Sequence, residues 1–299
     1  MTSGTAAGAR TLVSFSGGRT SGLMAKMLKD RGGENIFVFA NTGEEDERTL
    51  RFINMCDAQF QLNIVWVEAV VDPVHGNGTT HRVVTFETAT RGPSIFESMI
   101  EKYGIPNRDY PHCTRELKLH PITSYARSIG WGPGTYKTAI GIRADELDRI
   151  NPNFREQNII YPLCDANIRK RDVFRFWDRQ AFDLDLPEHR GNCVWCWKKS
   201  LRKHLTIARE TPQAFKFAMR MEAEHGHSGS GDAQRVFFRG NRSARDIIEL
   251  SREPFEAFID VRYLDQHAGC EESCEIFDPS QMTMEALWKA TPAKPGASS

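Results

Sequence analysis

Thr-Leu-Val-Ser-Phe-Ser-Gly-Gly-Arg-Thr-Ser, residues 11–21, is the stretch on which the reading of this chain turns. Thr11 to Ser16 is a short apolar run of the kind that forms a buried strand, and Thr20 to Leu28 carries helical spacing, so Gly17 and Gly18 fall on a strand-to-helix turn. Paired glycines let backbone N–H groups come close to an anion, and the start of a helix adds partial positive charge. Ser16, Thr20 and Ser21 add hydroxyl donors. The bland alternative is a turn that merely needs glycine. A Walker loop is excluded, because its glycine spacing is longer and it ends in Lys-Ser/Thr.

Outward from this turn, apolar runs alternate with amphipathic stretches, as in βα units that close a parallel sheet. Strands are expected at Ile36 to Asn41, Ile64 to Val71 and Tyr136 to Ile142. Helices are expected at Glu45 to Cys56, Ser94 to Tyr103, Arg115 to Ile129 (interrupted by Pro121), Lys170 to Arg179 and Lys199 to Arg220. The fold class is therefore α/β, a mostly parallel twisted sheet with helices on both faces. The expected organisation is a flexible start at 1–10, a phosphate-loop domain with a C-x-x-C insertion at 11–224, a Gly/Ser-rich connection at 225–234, a small helical, cysteine-bearing C-terminal lobe at 235–290 and a disordered tail at 291–299.

Composition narrows the function classes. The 39 basic and 39 acidic residues cancel, so net charge indicates no polyanionic partner and any such role must rest on local patches. Apolar runs are too short to cross a bilayer, and residues 1–10 lack the apolar core of a secretory signal, so no membrane role and a cytoplasmic location are expected. Seven cysteines in a reducing compartment argue against a disulfide framework. Their two close pairs, Cys193/Cys196 and Cys270/Cys274, argue for metal or redox chemistry.

Ser-Phe-Ser-Gly-Gly-Arg-Thr-Ser resembles the S-x-G-G-K-D-S PP-loop of the adenine-nucleotide alpha-hydrolase superfamily, with Arg19 and Thr20 standing where Lys and Asp are usual. Asn41-Thr42-Gly43-Glu44, with Glu47 and Phe52 beyond, is similar to a stretch of the phosphoadenylylsulfate (PAPS) reductases. Gly141 to Glu146, containing Arg143, is similar to that family's T-G-x-R-x-x-E/Q segment. Tyr161 to Asp165, with Arg171 to Val173 and Trp177, resembles its P-L-x-D-W...D-V-W pattern. Together these cover positions 12 to 200.

The resemblance implies a HUP-like fold in which Ser14 to Ser21, Asn41 to Glu44, Gly141 and Arg143 bind ATP or a related adenine nucleotide with Mg, Arg143 clamping a phosphate or sulfate. Arg115 and Lys118, three apart on one helix face near Cys113, would assist it. Cys113, Cys193 and Cys196 match the adenylylsulfate-reductase branch, where cysteines hold a [4Fe-4S] cluster. Here His112 replaces one of them, and Cys274, Cys270 or His112 would be the fourth ligand, with zinc as the alternative metal. Cys56 and Cys164 read as apolar packing.

The leading functional expectation is a PP-loop enzyme that cleaves ATP between the α and β phosphates, adenylates an acceptor and delivers sulfur with the cluster's help. A PAPS or adenylylsulfate reductase is the alternative, its nucleophile Cys274 in a partial E-C-G-L-H match at Glu272 to Glu275. A zinc-stabilised nucleotide or nucleic-acid binding module is the third reading. The implied partners are a nucleic acid or a sulfur donor, and a second copy of the chain. Basic runs at Lys198, Lys199, Arg202 and Lys203, and at Arg235, Arg239 and Arg242 beside Phe237 and Phe238, are the surfaces such a partner would use.

Overall fold

The computed structural model describes residues 10–227 and 234–260. Six strands form one sheet in the order β4-β3-β2-β1-β5-β6. They are β1 (Thr11–Ser14), β2 (Asn35–Asn41), β3 (Val65–Val71), β4 (Thr79–Val84), β5 (Lys137–Ala139) and β6 (Ile159–Ile160). All neighbours pair parallel except β3 and β4, which pair antiparallel. The α/β class and the mostly parallel sheet are as the sequence pattern predicts.

Residues alternate between the two faces of the sheet, as a period of two requires. Val13, Phe37, Phe39 and Trp66 join one apolar cluster with α1 (Arg19–Arg31), α2 (Glu47–Phe60) and α7 (Lys170–Trp177). Leu12, Val38, Ala40 and Val67 join another with α5 (His120–Ser128). Helices therefore cover both faces. A third cluster combines α3 (Ser94–Tyr103) with Trp195, α8 (Leu201–Glu210), α9 (Lys216–His225) and α10 (Ala244–Leu250), and it takes in Phe237 and Phe238. The described part of the expected C-terminal lobe thus packs on the body of the protein; Cys270 and Cys274 lie outside the described residues.

Some expected boundaries move for physical reasons. The first strand ends at Ser14, because the chain turns into the glycine loop two residues sooner. Ala139 likewise ends the strand expected to reach Ile142. The long helix expected over Lys199 to Arg220 is broken by Pro212, which starts a 3-10 turn between α8 and α9. Pro121 does not break its helix. Instead α4 (His112–Thr114) runs into α5 through a π turn, Arg115–Leu119, in which the His120 N–H reaches Arg115 O. Pro121 stands in the first turn of α5, where a missing N–H costs little. Strand β4 has no counterpart in the sequence reading.

Candidate functional site

The order β2-β1-β5 places a topological switch beside β1, since the chain leaves β1 toward β2 and later returns on its other side as β5. Ligands of open α/β sheets sit at the carboxyl ends of the strands at such a point. The loops there are 15–18, after β1, and 140–146, after β5.

The first loop is built around Gly17, whose φ is +85° and whose added Cβ would stand 2.7 Å from Thr49 Cγ2. A larger residue meets both the wrong backbone region and α2. Gly18 is the N-cap of α1 in extended conformation; it provides no side-chain cap, and the first turn holds no acidic residue. Ser21 Oγ closes the loop, donating to Gly18 O at 2.9 Å and accepting from Ser16 N at 3.2 Å and Ser16 Oγ at 3.0 Å. The result is a fixed turn with a 13-residue helix pointing its positive end into the switch.

The second loop presses against it. A Cβ on Gly141 would lie 3.4 Å from Ser21 Cα. Arg143, only 5% exposed, donates from Nη1 to Thr20 Oγ1 at 3.3 Å. Its Nε and Nη2 donate to Asp145 at 3.1 and 3.2 Å, and its backbone N–H donates to Glu146 Oε2. Ser16, Gly17, Gly18, Thr20, Ser21, Gly141 and Arg143 thus come together. Ser14 is buried as the last residue of β1.

Arg19 goes elsewhere: its guanidinium pairs with Asp183 at 2.7 and 3.0 Å, reaches Leu184 O and lies 5.4 Å from the Phe174 ring centre.

The loop after β2 is held by its neighbours. Asn41 donates to Glu68 Oε1 at 2.6 Å and to Thr90 O at 2.9 Å. Thr42 donates to both oxygens of Glu45, a residue the sequence reading passed over, through its amide (3.0 Å) and hydroxyl (2.7 Å). Gly43 admits the backbone of Gly92, whose carbonyl oxygen would lie 2.3 Å from an added Cβ. Glu44 accepts from Trp195 Nε1 at 2.7 Å. Burial raises both carboxyl pKa values, opposed by the Trp195 N–H at Glu44 and chiefly by the Lys118 charge at Glu45. Lys118 therefore works toward this loop. Arg115 turns instead to Glu116, His112 and the ring of Tyr103, so the π turn gives the two cations different surroundings.

The C-x-x-C segment docks on the same loop, Cys193 Sγ standing 3.6 Å from Thr42 Oγ1. Cys193 and Cys196 belong to the third apolar cluster, and Cys113 packs against it. Among the described residues, no three His, Cys, Asp or Glu side chains are grouped so as to hold a metal ion.

Lys199 and Lys203 of the basic run behind the C-x-x-C are buried, while Lys198 and Arg202 are partly exposed. Lys203 donates to Glu188 at 2.7 Å, Lys170 joins the same carboxylate at 2.9 Å, and Lys199 caps the carbonyls of Gly191 and Cys193. Phe237 and Phe238 are buried, so neither offers a face to a nucleic-acid base. No described helix is long and apolar enough to cross a membrane.

Fold and loop together define an α/β protein with a glycine-built loop at its sheet's switch point. No family model matches the chain. Over 280 residues, 89% of this chain and 94% of the relative, it is 32% identical to the uncharacterized nin region protein ORF290 of Escherichia phage lambda. The chain belongs to that protein's family. Two uncharacterized proteins of Methanocaldococcus jannaschii are similar over shorter stretches. One is 24% identical over 62% of this chain and 34% of its own length; the other is 28% identical over 38% and 19%.

Proposed function

We propose that the chain is a PP-loop-type enzyme that binds ATP at the loop of Ser16, Gly17, Gly18 and Ser21 and cleaves it between the α and β phosphates, adenylating an acceptor. The observation that carries this reading is the meeting of the two switch-point loops: the open start of α1 and the Arg143 guanidinium converge beside Gly17 and Gly18. Amides and a planar cation supply fixed dipoles for a departing pyrophosphate, and such preorganised donors are the usual source of rate in phosphoryl chemistry. Magnesium would enter with the nucleotide.

The sulfur-transfer half of the expectation is a separate proposal resting on Cys113, Cys193, Cys196 and Cys274. Anaerobic purification with iron and zinc analysis tests it: stoichiometric iron lost on Cys193→Ser supports it, and metal-free protein rejects it.

The nucleotide reading is tested by incubating the chain with MgATP and hydroxylamine as a surrogate acceptor. Pyrophosphate is the expected product, with the AMP moiety carried on hydroxylamine or, where water attacks instead, released as AMP, and Arg143→Met should lower the rate of pyrophosphate formation at least tenfold. Formation of ADP and phosphate alone, or of no product, would count against it.

A further inference from the structure

Arg19 and Arg143 flank the same loop, and their surroundings separate their roles. Resting on the nucleotide reading above, we infer that Arg143 is the guanidinium that grips the anion, that Thr20 positions it, and that Arg19 is an internal tie which does not touch the ligand.

Arg19 is 2% exposed, and its Nε and Nη2 form a two-pronged pair with both oxygens of Asp183. The Leu184 carbonyl takes a further bond from Nη2, the Phe174 ring covers the guanidinium, and Trp177 Nε1 donates to Arg19 O at 2.9 Å. Such planar, two-pronged geometry is what guanidinium provides and ammonium does not. These contacts join the first residue of α1 to α7 and to the segment after it. They draw the Arg19 charge toward Asp183, on the side of the helix start where α7 packs.

Thr20 is 1% exposed and accepts from Arg143 Nη1 while Asp145 holds the other two nitrogens. Asp145 pairs with the guanidinium and Glu146 Oε2 stands 3.6 Å from its Nε, so the arginine is fixed in plane and direction at the loop, and the Thr20 hydroxyl orients it without adding a further negative charge. A carboxylate at position 20 would be a third acid on this cation and would compete with the incoming anion.

Calorimetric titration of the full chain with MgATP, run beside thermal melts, tests both parts. Thr20→Val keeps the side-chain shape and removes the hydroxyl; it should weaken ATP binding about tenfold. Thr20→Ser should restore affinity to within about threefold of wild type. Restoration by serine separates orientation of Arg143 from packing of the methyl group, which valine retains and serine lacks. Equal weakening by valine and serine would overturn the positioning role.

Arg19→Met and Asp183→Asn should each lower Tm, and the double variant should melt close to the worse single one. Affinity of the folded Arg19→Met protein should stay within about threefold of wild type. Additive losses in Tm, or loss of ATP affinity on Arg19→Met but not on Asp183→Asn, would overturn the tie. If Arg19→Met does not fold, Arg19→Lys replaces it in the same cycle. Wild-type protein that binds neither ATP nor pyrophosphate would remove the nucleotide reading and the Thr20 role with it. The tie would still be decided by the melts alone.

Discussion

Glu68 lies in the middle of β3 with no exposed surface, yet it is a carboxylate. Burial alone would raise its pKa, but donors from Thr90, Asn41 and Arg82 outweigh that effect and hold it below the usual range. The same residue locks Asn41 at the end of β2 and so fixes where the next loop begins. Glu68→Gln would set an amide N–H₂ against one of these donors. Arg82 is half exposed, so solvent screens that ion pair, and the cost is set mainly by the buried donors left without a good acceptor, about 1–3 kcal/mol. The variant is expected to show that loss in urea unfolding at pH 7, and an unchanged midpoint would refute the role. Nothing in the sequence marks Glu68, because a lone acid in an apolar run reads as an interruption until Arg82 arrives on the antiparallel neighbour.

At the scale of elements, α9 is tied to the segment that follows it through Glu222, which accepts from Phe237 N at 3.0 Å and Ala244 N at 2.8 Å. Burial dominates here and the pKa is pushed up to about 7, with Asp246 adding to the rise. The unfolded chain holds this group near 4.5, so the folded state binds the proton more tightly between those values. The stabilisation is complete below pH 4.5 and is lost as pH rises through about 7, a swing of about 3 kcal/mol. Thermal melts of wild type and Glu222→Gln from pH 5 to 8 should show the wild-type advantage shrinking as pH rises. An advantage that grows with pH would contradict the assignment.

Elements differed in how far they could be read from sequence, and the reasons are local. β1 to β3 and their helices announce themselves through alternating runs, and Pro212 is a legible stop once its effect is weighed against helical spacing. The π turn was not legible, since Pro121 signals an interruption but not that a wider turn would carry the helix past it. β4 escapes the pattern because Thr79 to Val84 is an edge strand with one buried residue and two exposed ones, and its pairing with β3 is decided by long-range contact. In the site, Gly17, Gly18, Ser21 and Arg143 were legible as a pattern of donors. Arg19 was not, because its partner Asp183 lies 164 residues away and no spacing rule connects them.

In the molecule as a whole, the sheet brings together segments far apart in sequence. The loop after β1, the loop after β5 and the C-x-x-C segment all meet at one end of the strands, on helices packed by two separate cores. That convergence is why the nucleotide reading is placed there and not at the groove on the opposite end, lined by Lys29, Asn35, Asn63 and Tyr125. The most direct test is equilibrium binding of MgATP to wild type and to Gly17→Asp, with circular dichroism confirming that the variant folds and Ser16→Ala as a milder companion. The account predicts one ATP bound per wild-type chain, weaker binding in Ser16→Ala and none in folded Gly17→Asp, where a carboxylate stands among the loop amides. ATP affinity unchanged in both folded variants would contradict it.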